Sequence, residues 1–141
     1  MRTISRLAPS PSDGIPYIPA GIDRGDTRAS AFIGRKAPDH AEVECCPYDQ
    51  VKDELAWICA RFKDHINAPY SSTCPFTVAS WLLVTLVRCH PFNDGNGRLS
   101  RLIASLPLLK AGLPPINIPT ASAQRDCIRG INQVLIPIHV P

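Results

Sequence analysis

Four stretches of the chain carry a repeating apolar pattern, and they outline the architecture. From Tyr48 the apolar positions Val51, Leu55, Ile58 and Phe62 step by four, three and four. That spacing puts them on one face of a helix, with Lys52, Asp53 and Lys63 on other faces. Pro47 suits the start of this helix, and the "NAP" at 67–69 ends it. A second helix opens at Pro75, with Thr73 as its candidate cap, and runs to Cys89. It is apolar on nearly every side, which predicts a central, buried helix. It stops there because Pro91 disfavours the α region at His90.

A third helix starts near Asn96. Leu99, Leu102, Ile103, Leu106 and Leu109 form its apolar stripe, while Arg98, Arg101 and Ser105 share another face. Pro107 should kink it by removing one backbone hydrogen bond, and Gly112 ends it. "LPPINIP" then reads as a rigid extended connection. A last short helix is expected over 123–134. The "RASAFIG" at 28–34 suits a single strand or small hairpin. Residues 1–24 are rich in Pro, Ser and Gly, show no period and read as a loose arm. The expected fold class is all-α with one short β-hairpin: an arm at 1–24, a core at 25–135 and a tail at 136–141.

Composition narrows the function classes. With 141 residues, 45% of them apolar and 19% charged, the chain is sized for one globular domain. The net charge is +3, and the fifteen Lys and Arg are scattered rather than gathered in a stripe, which argues against a nucleic-acid partner. The longest apolar stretch, Phe76–Val87, is too short to span a bilayer, and no signal-peptide pattern opens the chain. The six cysteines form no C-x-x-C pair. Cys59 and Cys89 lie in apolar periodic runs, where a thiol packs as a small hydrophobe. Reduced cysteines in a cytoplasmic or nuclear setting are therefore expected. The adjacent Cys45 and Cys46 have no evident reading.

The chemistry concentrates in "HPFNDGNGRLSR", His90 to Arg101. The first turn of a helix has unpaired N–H groups and a partial positive charge. Arginines are unfavourable there unless an anion arrives. Arg98 and Arg101 nevertheless stand at this helix start, with only Asp94 just before it. Gly95 and Gly97 let the backbone turn tightly and face a ligand. Together they describe a polyphosphate site. Asp94 is then placed to hold a divalent ion on the phosphates, Mg²⁺ with waters being the natural choice. His90, at the lip of the loop, can take a proton from a hydroxyl near neutral pH.

The same stretch resembles the motif H-x-F-x-[D/E]-G-N-G-R-x-x-R of the Fic (Fido) family at every fixed position. "RGDTRASAFIGR" is similar to the family's flap region, and "LLKAGLPPINIP" to the segment after its motif helix. The resemblance covers roughly residues 24–135. It implies a helical Fic core that transfers AMP from ATP to a protein hydroxyl. By resemblance, His90 would be the general base and Phe92 an inward anchor. Asp94 would bind Mg²⁺. Gly95, Asn96 and Gly97 would cradle the α- and β-phosphates, Arg98 the β-phosphate and Arg101 the γ-phosphate. The flap Ala31, Phe32, Ile33 and Gly34 would pair with an extended segment of the target protein. A homodimer is compatible with this family.

Three departures from the family pattern stand out. The inhibitory motif [S/T]-x-x-x-E-[G/N] is absent, since Glu42, Glu44 and Glu54 are followed by Val, Cys and Leu. No self-inhibition through Arg101 is therefore expected. Leu83 stands where many members carry His, and Ile128 where many carry Tyr, which bears on the nucleobase pocket. Transfer of another phosphate-linked group, such as UMP or phosphocholine, stays open as an alternative, as does a catalytically weak nucleotide-binding module. Gly95 and Gly97 argue against the kinase (Doc) branch, whose motif carries Ala and Lys there.

Overall fold

The computed structural model describes residues 21–33, 43–68, 74–118 and 121–133. The first element is helix α1 (Arg24–Thr27). Its cause is local: the Asp23 carboxylate accepts from the Asp26 N–H at 3.0 Å, and the Asp26 carboxylate accepts from the Asp23 N–H at 3.2 Å. This reciprocal pair satisfies donors that a helix start leaves open. Gly25 is required by close approach, because a Cβ there would lie 2.9 Å from Asp23 Oδ1 and 3.0 Å from the Tyr48 carbonyl.

Strands β1 (Phe32–Ile33) and β2 (Val43–Glu44) form the β element, antiparallel, with Phe32 opposite Glu44 and Ile33 opposite Val43. Ile33 is buried and Phe32 exposed, as alternation on a one-sided strand requires. Gly34, the last expected flap residue, lies outside the described residues. A 3₁₀ turn (Tyr48–Gln50) follows Pro47 and leads into α2 (Val51–Asn67). The expected stripe holds: Val51 and Ile58 are buried, and Leu55 and Phe62 pack partly buried against the core. Cys59 does not join them. It is exposed, because one residue beyond Ile58 is a rotation of about 100°. Glu54 is on the buried face as well, and burial pushes its carboxyl above its ordinary 4.5.

Helix α3 (Pro75–Cys89) is the central one. Its N-cap is Cys74 rather than Thr73, which lies outside the described residues, and Pro75 takes the first helical position, where a missing N–H costs nothing. Val78, Leu82, Leu86 and Cys89 are buried among Cys46, Val51, Ile58 and Ala104. Trp81 of α3 meets Trp57 of α2 edge-on at 5.9 Å, and His65 of α2 at 5.7 Å.

Helix α4 (Asn96–Lys110) packs most extensively on α3. Here the expected stripe is corrected. Leu102, Leu106 and Leu109 are exposed, and the buried row is Asn96, Ser100, Ala104 and Leu108, each four residues from the last. Ala104 of this row joins the core cluster at the seam with α3, where a small side chain suffices. The Ser100 hydroxyl donates to the Asn96 carbonyl at 2.6 Å, which satisfies it inside the seam. The helix runs on through Pro107 to Lys110. Gly112, at φ +71°, then ends it with paired bonds from Gly112 N–H to Leu109 and from Leu113 N–H to Leu108, a Schellman cap. The Ser105 hydroxyl donates to the Arg101 carbonyl and accepts from the Ile116 N–H at 2.9 Å, tying the following connection back to the helix. Helix α5 (Ala121–Gln133) begins two residues earlier than its pattern suggests. The Ile128 side chain lies outside the described residues. Among those residues, no helix is long and apolar enough to cross a membrane.

Candidate functional site

His90 is the C-cap of α3. Its backbone is left-handed, at φ 48° and ψ 56°. For a residue other than glycine this conformation costs about 1–2 kcal/mol and needs external support. The ring nitrogen Nδ1 lies 3.2 Å from the Val87 carbonyl, which can only accept, so the Nδ1 proton sits there. Nε2 is then the unprotonated, acceptor nitrogen. Burial holds the imidazole below its ordinary 6.5; the Val87 carbonyl pulls the other way, and the positive charge of Arg24 adds to the lowering. His90 is therefore neutral at pH 7, which is the state a base requires.

The loop after it is built by Asn96. This side chain is 3% exposed. Its Oδ1 accepts from the Phe92 N–H at 2.9 Å and its Nδ2 donates to the Phe92 carbonyl at 2.5 Å. The amide is thus committed to closing residues 92–96 into a fixed turn. The Asn96 backbone remains on the side of the helix start. Phe92 is half-buried, and the neighbour that is fully buried is Pro91. Gly95 is the N-cap of α4, at φ 85°, a value that favours glycine. It brings no side-chain cap to the first turn. The positive end of the helix is therefore left for a ligand to complete.

Three charged groups surround that end. The Arg98 guanidinium bonds the Asp94 carboxylate at 3.1 Å across one helical turn. Both groups are well exposed, so the pair contributes little to stability and exchanges readily for other partners. Arg101 lies one turn further along than the sequence pattern implied. Its guanidinium reaches back over Gly97, with Nη1 3.6 Å from where a Cβ on Gly97 would be. Gly97 thus keeps the space between the helix start and Arg101 open. The structure gathers His90, Asp94, Gly95, Gly97, Arg98 and Arg101 around one loop and one helix start, while Asn96 serves from inside. The donor set around Asp94 is a single carboxylate, and no cluster of three or more metal-ligating side chains occurs among the described residues. Such a site suits an ion that phosphate oxygens and water complete.

One residue escaped the sequence reading. Arg24, placed there at the end of a loose arm, is 1% exposed. Its Nε donates to the His90 carbonyl at 2.5 Å, Nη1 to Ala29 at 2.7 Å, and Nη2 to Cys46 at 2.7 Å and Cys89 at 2.9 Å. The D-x-x-D spacing of Asp23 and Asp26 was the available signal that an ordered helix begins there. It would not have shown where the arginine points.

The family model described as "Fic/DOC family" matches residues 18–108. "Protein adenylyltransferase Fic" of Drosophila willistoni is 46% identical over 67 residues, covering 47% of this chain and 14% of that protein. The protein of the same name from Drosophila melanogaster is 45% identical over 67 residues, with the same coverage. The similarity thus spans about one seventh of those relatives' length.

Proposed function

The chain belongs to the Fic/DOC family, and from that membership we propose that it is a protein adenylyltransferase. It transfers AMP from ATP to a Ser, Thr or Tyr hydroxyl of a target protein and releases pyrophosphate. The observation that carries this reading is the junction of α3 and α4. A neutral histidine with its Nε2 free to accept stands beside an uncapped helix start ringed by two arginines. A base for a hydroxyl and a seat for a polyphosphate are together what the reaction needs.

The residues divide the work as follows. His90 Nε2 takes the proton of the attacking hydroxyl as its oxygen bonds to the α-phosphorus. The bond from that phosphorus to the bridging oxygen of pyrophosphate breaks in line. Gly95, Asn96 and Gly97 present backbone N–H groups to the α- and β-phosphates. Arg98 leaves the Asp94 carboxylate for the β-phosphate and stabilises the departing charge, and Arg101 holds the γ-phosphate. Asp94, released by Arg98, would hold Mg²⁺, which neutralises charge on the leaving group when bound. The edge of β1 away from β2 has no strand partner among the described residues. It suits an extended target segment added as a further strand, with exposed Phe32 as its side-chain contact.

ATP labelled at the α- or the γ-phosphate, incubated with the protein and a desalted cell lysate as acceptor, tests the reading. Protein-bound label is expected from the α position alone, and chelating Mg²⁺ removes it. Label from the γ position would make the protein a kinase instead. Label from UTP but not ATP would keep the chemistry and change the nucleobase.

The pH dependence follows from His90. Its pKa lies below 6.5, so the acid limb of transfer should have its midpoint below pH 6.5. The pH dependence of kcat/KM, measured at limiting ATP, gives the acid midpoint of the ligand-free protein. A midpoint above 6.5 would rule out His90 as the buried neutral base. Stability carries the same sign. The folded state binds fewer protons here than the unfolded chain, so His90 contributes a loss of stability as pH falls through 6.5.

A further inference from the structure

We propose that Arg24 is a positioning residue for the base: it locks the His90 backbone in its left-handed conformation from outside the motif. This rests on the reading of His90 as the base. Arg24 is buried to 1% exposure, and no carboxylate lies among its hydrogen-bond partners. Four of its N–H groups instead hold four carbonyls from three separate segments. Two of those carbonyls, Cys89 and His90, belong to the last turn of α3, where helix carbonyls lack partners and carry partial negative charge. A buried cation is costly unless it is fully hydrogen-bonded, and this one is placed at the negative end of a helix. The backbone N–H of Arg24 completes the lock by donating to the Pro91 carbonyl at 2.7 Å. One residue therefore grips the three consecutive positions 89, 90 and 91 from both its side chain and its backbone. The strained φ of His90 lies at the centre of that grip.

The other two carbonyls extend the same lock. Ala29 leads into β1, and Cys46 follows β2. The Cys46 N–H also donates to the Arg88 carbonyl at 2.9 Å. The guanidinium is thus the hub that sets the strand pair against the end of α3. The edge proposed to receive the target and the base proposed to activate its hydroxyl are held in one fixed relation. Removing the hub should loosen that relation and leave the phosphate seat on α4 intact, because no Arg24 bond reaches residues 94–101 among the described residues.

The test compares the full chain with Arg24→Met and Arg24→Lys. Methionine matches the stem and removes every donor. Lysine keeps the charge and at most three donors. Three readings are taken: the apparent kcat and KM for ATP in α-label transfer, Mg-ATP affinity by calorimetry, and the His90 Cα shift and HN–Hα coupling by NMR. Expected for Arg24→Met is a kcat lower by about 100-fold, the scale of a misplacement near 1 Å. KM and Mg-ATP affinity stay within about twofold. The His90 signals leave their left-handed values. Arg24→Lys restores part of kcat and part of the His90 signature, and it stands in if the methionine variant does not fold. Unchanged kcat, or a kcat loss matched by lost ATP affinity while the His90 signals stay put, overturns the inference. If the unaltered protein transfers no label, the adenylyltransferase reading fails. The His90 signals in the two variants still decide whether Arg24 holds that residue.

Discussion

Replacing His90 is expected to lower adenylyl transfer by about 10²–10⁴-fold, the usual contribution of a positioned general base. Alanine alone is an ambiguous probe, because position 90 is left-handed and alanine adopts that conformation at a cost. Asparagine tolerates it better and has no basic nitrogen. His90→Asn should therefore show the full loss with little change in melting temperature, and His90→Ala the same loss with some destabilisation. ATP affinity should stay close to that of the unaltered protein in both, since neither change touches Gly95–Arg101. Transfer by His90→Asn within tenfold of the unaltered protein would place the base elsewhere. The reason to expect a large effect lies in the ring's surroundings. The Val87 carbonyl fixes the tautomer and burial keeps the ring neutral, so the basic nitrogen is ready without a prior proton loss.

Asn96→Ala should give the second large effect, on folding and on nucleotide binding together. The amide satisfies both the N–H and the carbonyl of Phe92 in a site that is 3% exposed. Alanine strands those two backbone groups, and each buried orphan costs about 1–3 kcal/mol unless water reaches it. A lower urea midpoint at unchanged slope is the expected signature. Mg-ATP affinity should fall as well, because Gly95 and the first amides of α4 take their places from the turn that Asn96 closes. An unchanged midpoint would show that the glycines and Pro91 hold the loop without it. This outcome separates two roles that the motif alone merges. The side chain of Asn96 closes the turn, and its backbone is the part proposed to face the anion.

Much of the helical frame was readable in advance. The steps of Val51, Leu55, Ile58 and Phe62 placed α2, and the nearly uniform apolar run with Pro75 before it placed α3. Both patterns are strong because one face, or nearly every face, must be covered. The buried side of α4 was misread, since five leucines and isoleucines look like a core stripe. The buried row is instead Asn96, Ser100, Ala104 and Leu108, with Ala104 in the cluster shared with α3, and part of the leucine row is left exposed. Periodicity shows which residues share a face but not how near the neighbouring helix comes. Cys59 failed for a related reason: an apolar residue in a periodic run still lies off the buried face if its phase is wrong. The Cys45–Cys46 pair had no reading, and both turn out buried, with Cys46 bonded through its backbone to Arg24 and Arg88.

The sequence by itself determined the chemistry of the loop. A histidine, a carboxylate, two glycines and two arginines lie within twelve residues, and their grouping about a helix start is what carries the proposal of an anion. That inference is local, because the residues that make it are neighbours in the chain. The tertiary structure alone decided what holds the histidine in place. Arg24 stands 66 positions before His90, and the four carbonyls it joins come from segments that share no pattern. A side chain whose partners are backbone oxygens leaves no trace in the identities of those partners. Only the packing of α1 against the end of α3 brings them within reach.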